Sequence, residues 1–471
     1  MKRLSADYCE NVARIDNELR VSENFDIIKK ILAVGNDELT FYYVDGFVKD
    51  SVMSKLMLSF VSLKGLGEKS ADAAKKFLES YAAYVETDLC ESVDTMIGMV
   101  LSGAALVLGS TFEDKAIIID VRTYPMRSIS EPQNDRVMLG SRDGFVEGLI
   151  FNTSLIRRRI RDSALTMKYF NIGEKSKTDV VLCYMSDRAD AEYVKDISEK
   201  LANIKTEALS LGHQSLSECL IKTRWYNPFP KIRTTERPDA AAAQLLEGSL
   251  MIIIDNSPEV MILPTTIFEF MQETNDYYFP PLTGSFLRLV RQVIMWLTLF
   301  LTPVWYLLTR HPDVVPEWLR FALPEEAGKI PILAQLLLVE FVIDGLRMAS
   351  MNTPDMLSNS LSVVGGLILG DFAIEIGWLI PEVILYMAFV SIANFSQRNY
   401  ELGYAFKFMR IILLLLISLL DWYGALLGTA LIIILVATNK TVNGKRSYLY
   451  PLIPFSAKGC AALFFRVKKK K

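Results

Sequence analysis

The sequence predicts a soluble α/β half of two related subdomains, followed by an α-helical polytopic membrane domain. Charged residues crowd positions 1–275, whereas long apolar segments crowd positions 289–437. Two strand–helix patterns of the first half recur later in the same half. Acidic residues interrupt the apolar segments, where a charge costs at least ~2.5 kcal/mol, so a polar lining is expected there.

The first subdomain is expected at residues 25–130, after a polar helical arm at residues 1–24. It opens with a strand–turn–strand pattern, because the turn residues Val34–Asp37 precede a run of aromatic and β-branched residues. Two helix patterns follow, and the second is rich in alanine and lysine. This alternation of strands and helices is typical of an α/β unit.

The second subdomain is expected at residues 165–275 because the same patterns return there. Leu39 aligns with Val180 in the strand–helix pattern. At a similar offset, Gly103 aligns with Gly248, and each glycine precedes two apolar strands joined by a turn. A duplication explains both matches. The alternative is chance similarity between two amphipathic strand–helix units.

A linker helix is predicted within residues 131–164, and it carries a cluster of arginines near its end. Cations near a helix C-terminus are favoured by the helix dipole by ~0.3–1 kcal/mol each. The alternative is a basic surface for a partner subunit or for anionic lipid headgroups. The cluster consists of Arg157, Arg158, Arg159 and Arg161.

The second half is predicted to begin with a hinge at residues 276–288 and to end with a basic cytoplasmic tail at residues 456–471. Between them, residues 289–455 predict a membrane domain of about four spans plus a re-entrant pair. One straight span over the last apolar segment would place the terminal lysines outside, against the positive-inside tendency. A helix pair broken at Asp421 would return the chain to the cytoplasm.

The acidic residues of the membrane half are candidates for an ion path. Glu340 and Asp344 share one helix face, and Arg347 on that face can pair with Asp344. A helix facing a water-filled path and an amphipathic helix at the membrane interface both fit this pattern. The ion-path candidates are Glu340, Asp344, Arg347, Asp371, Glu375 and Asp421.

Small residues in the same half are expected to mediate close helix contacts. Gly366 and Gly370 form a small-xxx-small face, which lets two helix backbones approach each other. Gly424 and Gly428 have the same spacing after the predicted break. Helix packing in membranes relies on such faces.

Several function classes are disfavoured. The net charge of −3 gives no basis for nucleic-acid binding, and the five cysteines form no CxxC pair. Two histidines, far apart, disfavour a histidine-based metal site or catalytic triad. No phosphate-binding loop, GxSxG or GxGxxG motif is present. We therefore expect no catalytic residue, no metal and no cofactor, and we do not expect an enzyme.

One segment resembles the signature of the GerA-type spore germination receptor A-subunit family. The segment reads NPFPKIRTTERPDAAAAQLLEG, and SRDGFVEGLIFNTSLIRRRIR resembles a second family motif. GLRMASMNTPDMLS and the PLIPF ending resemble the stage V sporulation protein AF branch of that family. The matching signature residues are Pro228, Phe229, Pro230, Thr235, Glu236, Arg237, Pro238, Asp239, Ala242, Leu245, Leu246, Glu247 and Gly248.

The resemblance implies a multi-pass protein of the spore inner membrane, with its N-terminal domain on the cytoplasmic or spore-core side. It implies an oligomeric ion channel that opens in germination. The acidic residues of the membrane half add the hypothesis that the channel releases monovalent cations, because acidic rings favour cations. The expected partners are membrane lipid, further copies of the chain, and another small membrane subunit or germination receptor proteins. A non-conducting scaffold or modulator of another germination complex is the first alternative, and a secondary transporter using Asp421 is the second.

Overall fold

The computed structural model describes residues 3–81, 86–123, 141–221, 225–272, 275–325, 328–352, 372–397, 399–439, 441–442 and 448–465. The predicted contact residues Gly366 and Gly370 and the predicted ion-path residue Asp371 lie outside these ranges. The chain divides into two compact units. The first comprises residues 1–222 and 232–264, and the second comprises residues 223–231 and 265–471.

Two five-stranded antiparallel sheets form the framework of the first unit. The first sheet has the order β1-β2-β4-β5-β3 and the second has the order β6-β7-β9-β10-β8. In the first sheet the strands are β1 Ile27–Val34, β2 Asp37–Val44, β3 Thr87–Cys90, β4 Ala105–Gly109 and β5 Ala116–Ile119. In the second they are β6 Leu165–Ile172, β7 Thr178–Met185, β8 Arg233–Thr235, β9 Leu250–Ile254 and β10 Val260–Leu263.

Eight helices accompany these strands among the described residues of the first unit. They bury apolar side chains against the sheets, as Phe60 of α2 does in the core that it shares with Phe41 of β2. The helices are α1 Tyr8–Leu19, α2 Asp50–Val61, α3 Ala73–Tyr81, α4 Val93–Leu101, α5 Leu149–Arg159, α6 Ala191–Ala202, α7 His213–Leu220 and α8 Pro238–Leu246.

The two sheets share one topology, so the predicted pair of related subdomains is confirmed. Each follows the order strand, strand, helix, helix, strand, helix, strand, strand. The residues aligned by sequence occupy equivalent places: Leu39 pairs with Gly109, and Val180 pairs with Ile254. Gly103 and Gly248 both adopt a positive φ two residues before an inner strand.

A tight turn sets the register of the first hairpin. Val34 pairs with Asp37, so only Gly35 and Asn36 lie in the loop. Gly35 has a φ of 65°, and a Cβ atom there would collide with the backbone of Lys64. Glycine is therefore required both by the conformation of the turn and by the close approach of the chain.

Arg157 ties α5 to the first strands of both sheets. Its side chain is fully buried and binds Asp26 through Nε–Oδ2 and Nη2–Oδ1 distances of 2.9 and 3.1 Å. It also donates to the carbonyl oxygen of Leu165 at 3.0 Å. Asp26 immediately precedes β1, and Leu165 begins β6. Arg157 is thus not part of the predicted basic surface, because its guanidinium is buried and paired with Asp26.

The second unit is helical in its described part. Its long helices are α9 Pro281–Arg310, α10 Ile332–Asn352, α11 Pro381–Phe395, α12 Tyr400–Ala437 and α13 Ala457–Phe464. Short helical turns lie at Glu269–Met271, Asn275–Tyr278, Pro312–Val314, Glu317–Ala322 and Ala373–Glu375. Residues 225–231 pack on this unit, since Phe229 contacts Phe406 edge to face at 6.1 Å.

Two of the described helices are long and apolar enough to cross a membrane, namely α9 and α12. α11 is apolar but shorter. α9 already begins at Pro281, within the stretch predicted as a hinge, because proline suits the first turn of a helix, where its missing N–H needs no partner. The predicted total of about four spans plus a re-entrant pair remains a prediction.

Breaking the buried ion pair of the first unit will destabilise the protein. Arg157→Met leaves the Asp26 carboxylate buried without its guanidinium, so we expect a loss of roughly 3–5 kcal/mol in the free energy of unfolding. Urea-dependent proteolysis of the detergent-solubilised chain measures this loss. Arg158→Met, at an exposed position of the same helix, is the matched control. Equal midpoints for the two variants would contradict the prediction.

Candidate functional site

Four ionisable side chains meet between α10 and α12. Glu340 is 8% exposed and binds Arg410, with 2.6 Å between Oε1 and Nη2. Lys407 lies 3.3 Å from the same Glu340 oxygen and forms an ion pair with Asp344. Arg410 also donates to the carbonyl oxygen of Thr298 on α9, at 2.6 Å. The cluster therefore connects three helices, and we call these four ionisable residues the charged network.

The charged network is electrically balanced. Its two carboxylates face two cations, and Lys407 and Arg410 are 5% and 1% exposed. A single charge at such a place would carry a desolvation penalty of several kcal/mol, which mutual attraction offsets when the geometry is good. Glu340 and Asp344 thus do not present free negative charge in this structure. A path lined by these acids requires that the ion pairs first separate.

Arg347 does not pair with Asp344, contrary to the sequence-based expectation. Its guanidinium instead lies over three aromatic rings, at 4.7 Å from the centroid of Tyr400, 5.2 Å from Tyr404 and 5.4 Å from Phe395. Asp344 is taken by Lys407, whose long side chain reaches it from the neighbouring helix. Asp344 therefore pairs with a cation of the neighbouring helix and not with Arg347 of its own helix.

α12 is broken at Asp421, the residue at which the sequence predicts a break. Asp421 has φ 52° and ψ −125°, a backbone conformation that residues other than glycine rarely adopt. This conformation interrupts the helix. Residues 400–420 form the first arm, and residues 422–437 form the second. Such a backbone is tolerated among apolar helices where its polar groups find partners.

Two glycines allow the arms to lie against each other. A Cβ atom on Gly424 would collide with the backbone of Leu416, and one on Gly428 would collide with the side chain of Leu413. In a straight helix Gly424 would lie about 12 Å along the axis from Leu416. The contacts therefore show that the second arm folds back on the first. Both glycines lie in the contact between the arms.

Arg310, at the end of α9, binds the backbone and the acidic side chain at the break. It donates to the carbonyl oxygens of Ile417 and Ser418 at 2.9 and 2.8 Å, and its Nε lies 2.9 Å from Asp421 Oδ1. The last carbonyl groups of a helix lack partners within the helix, and a cation there is favoured by the dipole. His311 Nε2 lies 3.6 Å from the same Asp421 oxygen.

The other predicted residues lie apart from the charged network. Glu375 is exposed in a short helical turn. In the arginine cluster of the first unit, Arg158 and Arg161 are exposed. Arg159 is half-buried and binds Asp143 at 2.6 Å. Burial alone would raise the pKa of Asp143, but hydrogen bonds from Arg159 and Ser141 outweigh it and lower that pKa.

Sequence reasoning missed the basic half of the charged network. Lys407 and Arg410 stand three residues apart, just before the last long apolar segment. The available signal was their spacing, which places both on one helix face, as the spacing of Glu340 and Asp344 does. Arg310 was missed as the partner of Asp421, because nothing local relates a helix end to a break more than 100 residues later.

Closing the space between the two arms of α12 will lower stability. Gly424→Ala introduces a methyl group where the backbone of Leu416 lies, so we expect a clearly lower Tm of the purified chain in detergent. Gly345→Ala is the matched control, because a Cβ atom there meets nothing within 4 Å. Alanine is about 1 kcal/mol better than glycine within a helix, so the control should be neutral or stabilising. A fall in Tm shared by both variants would contradict this account.

The charges of the network are expected to be energetically coupled. Glu340→Gln and Arg410→Met should each destabilise the chain, because each leaves an opposite charge buried with fewer partners. The double variant should lose less than the sum, with a coupling energy of roughly 0.5–3 kcal/mol. A double-mutant cycle of unfolding in detergent measures this coupling. Strict additivity would show that the contact contributes nothing.

Comparison with known proteins covers almost the whole chain. The family model described as Bacillus/Clostridium GerA spore germination protein matches residues 14–471. The chain is 36% identical to stage V sporulation protein AF of Bacillus subtilis (strain 168) over 99% of its own length and 94% of that protein. It is 26% identical to spore germination protein KA of the same organism, over 98% of this chain and 85% of that one.

A solved structure is also similar: the N-terminal domain of the A subunit of the Bacillus megaterium spore germinant receptor GerK3. It is 21% identical, covers 55% of this chain and 96% of that one, and has a TM-score of 0.39. This structural likeness is too weak to carry an argument, so the assignment rests on the sequence comparisons. They confirm the resemblance predicted from the TERPD segment and the RRRIR motif. The chain belongs to the GerA family of spore germination proteins.

Proposed function

We propose that this chain is a subunit of an oligomeric channel that releases monovalent cations across the spore inner membrane during germination. In this proposal several copies assemble, together with another small membrane subunit or germination receptor proteins. The first unit lies on the cytoplasmic, spore-core side and serves assembly and control. The family membership supplies the setting in germination, and the apolar helices α9 and α12 supply the membrane part.

The observation that carries the proposal is the charged network among apolar helices. Ionisable groups at membrane depth are costly, and they commonly mark ion pathways or relays. Acidic groups favour cations once they face water. In the closed arrangement, Lys407 and Arg410 neutralise Glu340 and Asp344. Movement of α12 away from α10 would release the two carboxylates from their cations, so the pairing acts as the closed state of a gate.

The proposed path lies between copies of the chain. The second arm of α12 keeps large apolar side chains exposed, including Leu426 at 71% and Ile433 at 60%, and Leu419 on the first arm is 77% exposed. These surfaces suit lipid or a neighbouring subunit. Among the described helices only α9 and α12 are long and apolar enough to cross a membrane, and two helices are too few to enclose a pore. Assembly of several copies therefore supports a pore better than one chain does.

Two alternatives follow from particular observations. The complete neutralisation of the charged network suits a scaffold or modulator that conducts nothing, since balanced ion pairs also hold helices together. The break at Asp421, beside Arg310, suits a secondary transporter, because broken helices often form substrate sites. A channel differs from both: it passes cations down their gradient without a coupled substrate.

Cation flux through reconstituted protein tests the proposal. In liposomes loaded with K⁺, Lys407→Met should raise efflux several-fold over the wild type, because it releases Asp344 from its ion pair. Glu340→Gln combined with Asp344→Asn should lower the efflux from that sensitised background. Glu317→Gln, at an exposed acid outside the charged network, should leave it unchanged.

The outcomes separate the three functions. Efflux that is absent from every variant would contradict the channel and favour the scaffold. Efflux that depends on a second solute gradient and falls with Asp421→Asn would favour the transporter. A fluorescent K⁺ indicator inside the liposomes gives the rate in each case, and Tm values in detergent establish that each variant is folded.

A further inference from the structure

An open groove runs between α10 and α11. Its volume is about 460 Å³. Most of its walls are apolar, and its polar side chains are Arg347 and two serines. The residues that line it are Val339, Ile343, Leu346, Arg347, Ser350, Ile384, Ala388, Ser391, Ile392 and Phe395.

The two helices are parallel along the groove, so its charged end is defined. Near their beginnings, the backbone N–H of Ile380 donates to Gln335 Oε1 at 2.9 Å. Near their ends, the guanidinium of Arg347 lies 5.4 Å from the ring of Phe395. From Val339 to Ser350 the groove extends about 16 Å at 1.5 Å per residue. The groove is therefore long and apolar, with the cation of Arg347 at one end.

Arg347 offers unused hydrogen-bond donors at that end. Among the residues that the structure describes, its guanidinium makes ring contacts with Phe395, Tyr400 and Tyr404, but no ion pair or side-chain hydrogen bond. Stacking on rings leaves the edge of a guanidinium group available to an oxyanion. The aromatic rings also fix its position, so little side-chain entropy is lost when an anion binds.

The serines do not compete for this role. Ser350 Oγ donates to the carbonyl oxygen of Arg347 at 2.8 Å, and Ser391 Oγ donates to that of Met387 at 2.7 Å. Both hydroxyl hydrogens are thus used within their own helices. Arg347 is the donor that faces a ligand in the described part of the groove. A ligand that matches these features is apolar along its length and anionic at one end.

We propose that this groove binds one acyl chain of an anionic phospholipid, with the lipid phosphate on Arg347. Guanidinium binds phosphate through two parallel N–H···O contacts. A membrane lipid fits better than free phosphate, because free phosphate would leave the apolar walls uncovered. Arg347 lies near the ends of α10 and α11, beside Tyr400. Tyrosine is enriched at membrane–water interfaces, at the level of the lipid headgroups. This assignment does not depend on whether the protein conducts ions.

Lipid retention by the full chain tests the proposal. The purified protein is washed in detergent, and its bound lipid is quantified by mass spectrometry after exposure to phosphatidylglycerol or phosphatidylcholine. We expect selective retention of phosphatidylglycerol by the wild type and a several-fold loss with Arg347→Met. Arg320→Met, which removes an exposed arginine outside the groove, should retain as much as the wild type.

A second measurement needs no variant and guards against misfolding. Phosphatidylglycerol with a photoreactive acyl chain should label Ile343 or Ile384, two half-buried residues of the groove, in the wild-type chain. Labelling confined to exposed positions outside the groove such as Phe389, or equal retention by Arg347→Met and Arg320→Met, would overturn the proposal. Displacement of the lipid by inorganic phosphate alone would overturn it too, because the site would then recognise the anion without the chain.

Discussion

The energetic cost of charge among apolar helices governs the second unit. Glu340 can be buried only because Arg410 and Lys407 reach it from α12, and Arg410 in turn holds the backbone of α9 at Thr298. Dispersion and apolar packing would allow these helices to slide past one another, since they have no direction. The ion pairs have both a direction and a distance. The register of three helices is thus set by four polar side chains.

A comparable constraint holds the first unit together. Arg157 lies between two sheets of the same topology, and its partner Asp26 stands at the start of the first one. Duplicated subdomains each have a core of their own, so a specific contact is needed to fix them in one arrangement. A buried guanidinium with a bidentate carboxylate meets this need, because any shift leaves a charge without its partner.

Local features of the fold could be predicted from the sequence, whereas contacts between residues far apart in the chain could not. The duplicated topology could be predicted because Leu39 and Val180 each stand third in a strand of the same pattern. The break in α12 could be predicted because Asp421 lies in the middle of the last apolar segment, where one straight span would place the terminal lysines outside. The pairing of Glu340 with Arg410 could not, since 70 residues separate them and Arg347 offered a nearer cation within the helix of Glu340. Likewise, Arg157 appeared with three other arginines, and only tertiary packing distinguishes the buried one.

The fold-back of α12 has a topological consequence. Phe229 contacts Phe406 near the start of the first arm, and Asn227 donates to the carbonyl oxygen of Leu435 near the end of the second. Both ends of α12 therefore lie at the same end of the second unit. The segment that follows α12 therefore starts near the place where α12 itself begins. Losing one arm would move the start of that segment to the opposite end of the second unit, whereas losing both arms would leave it where it is.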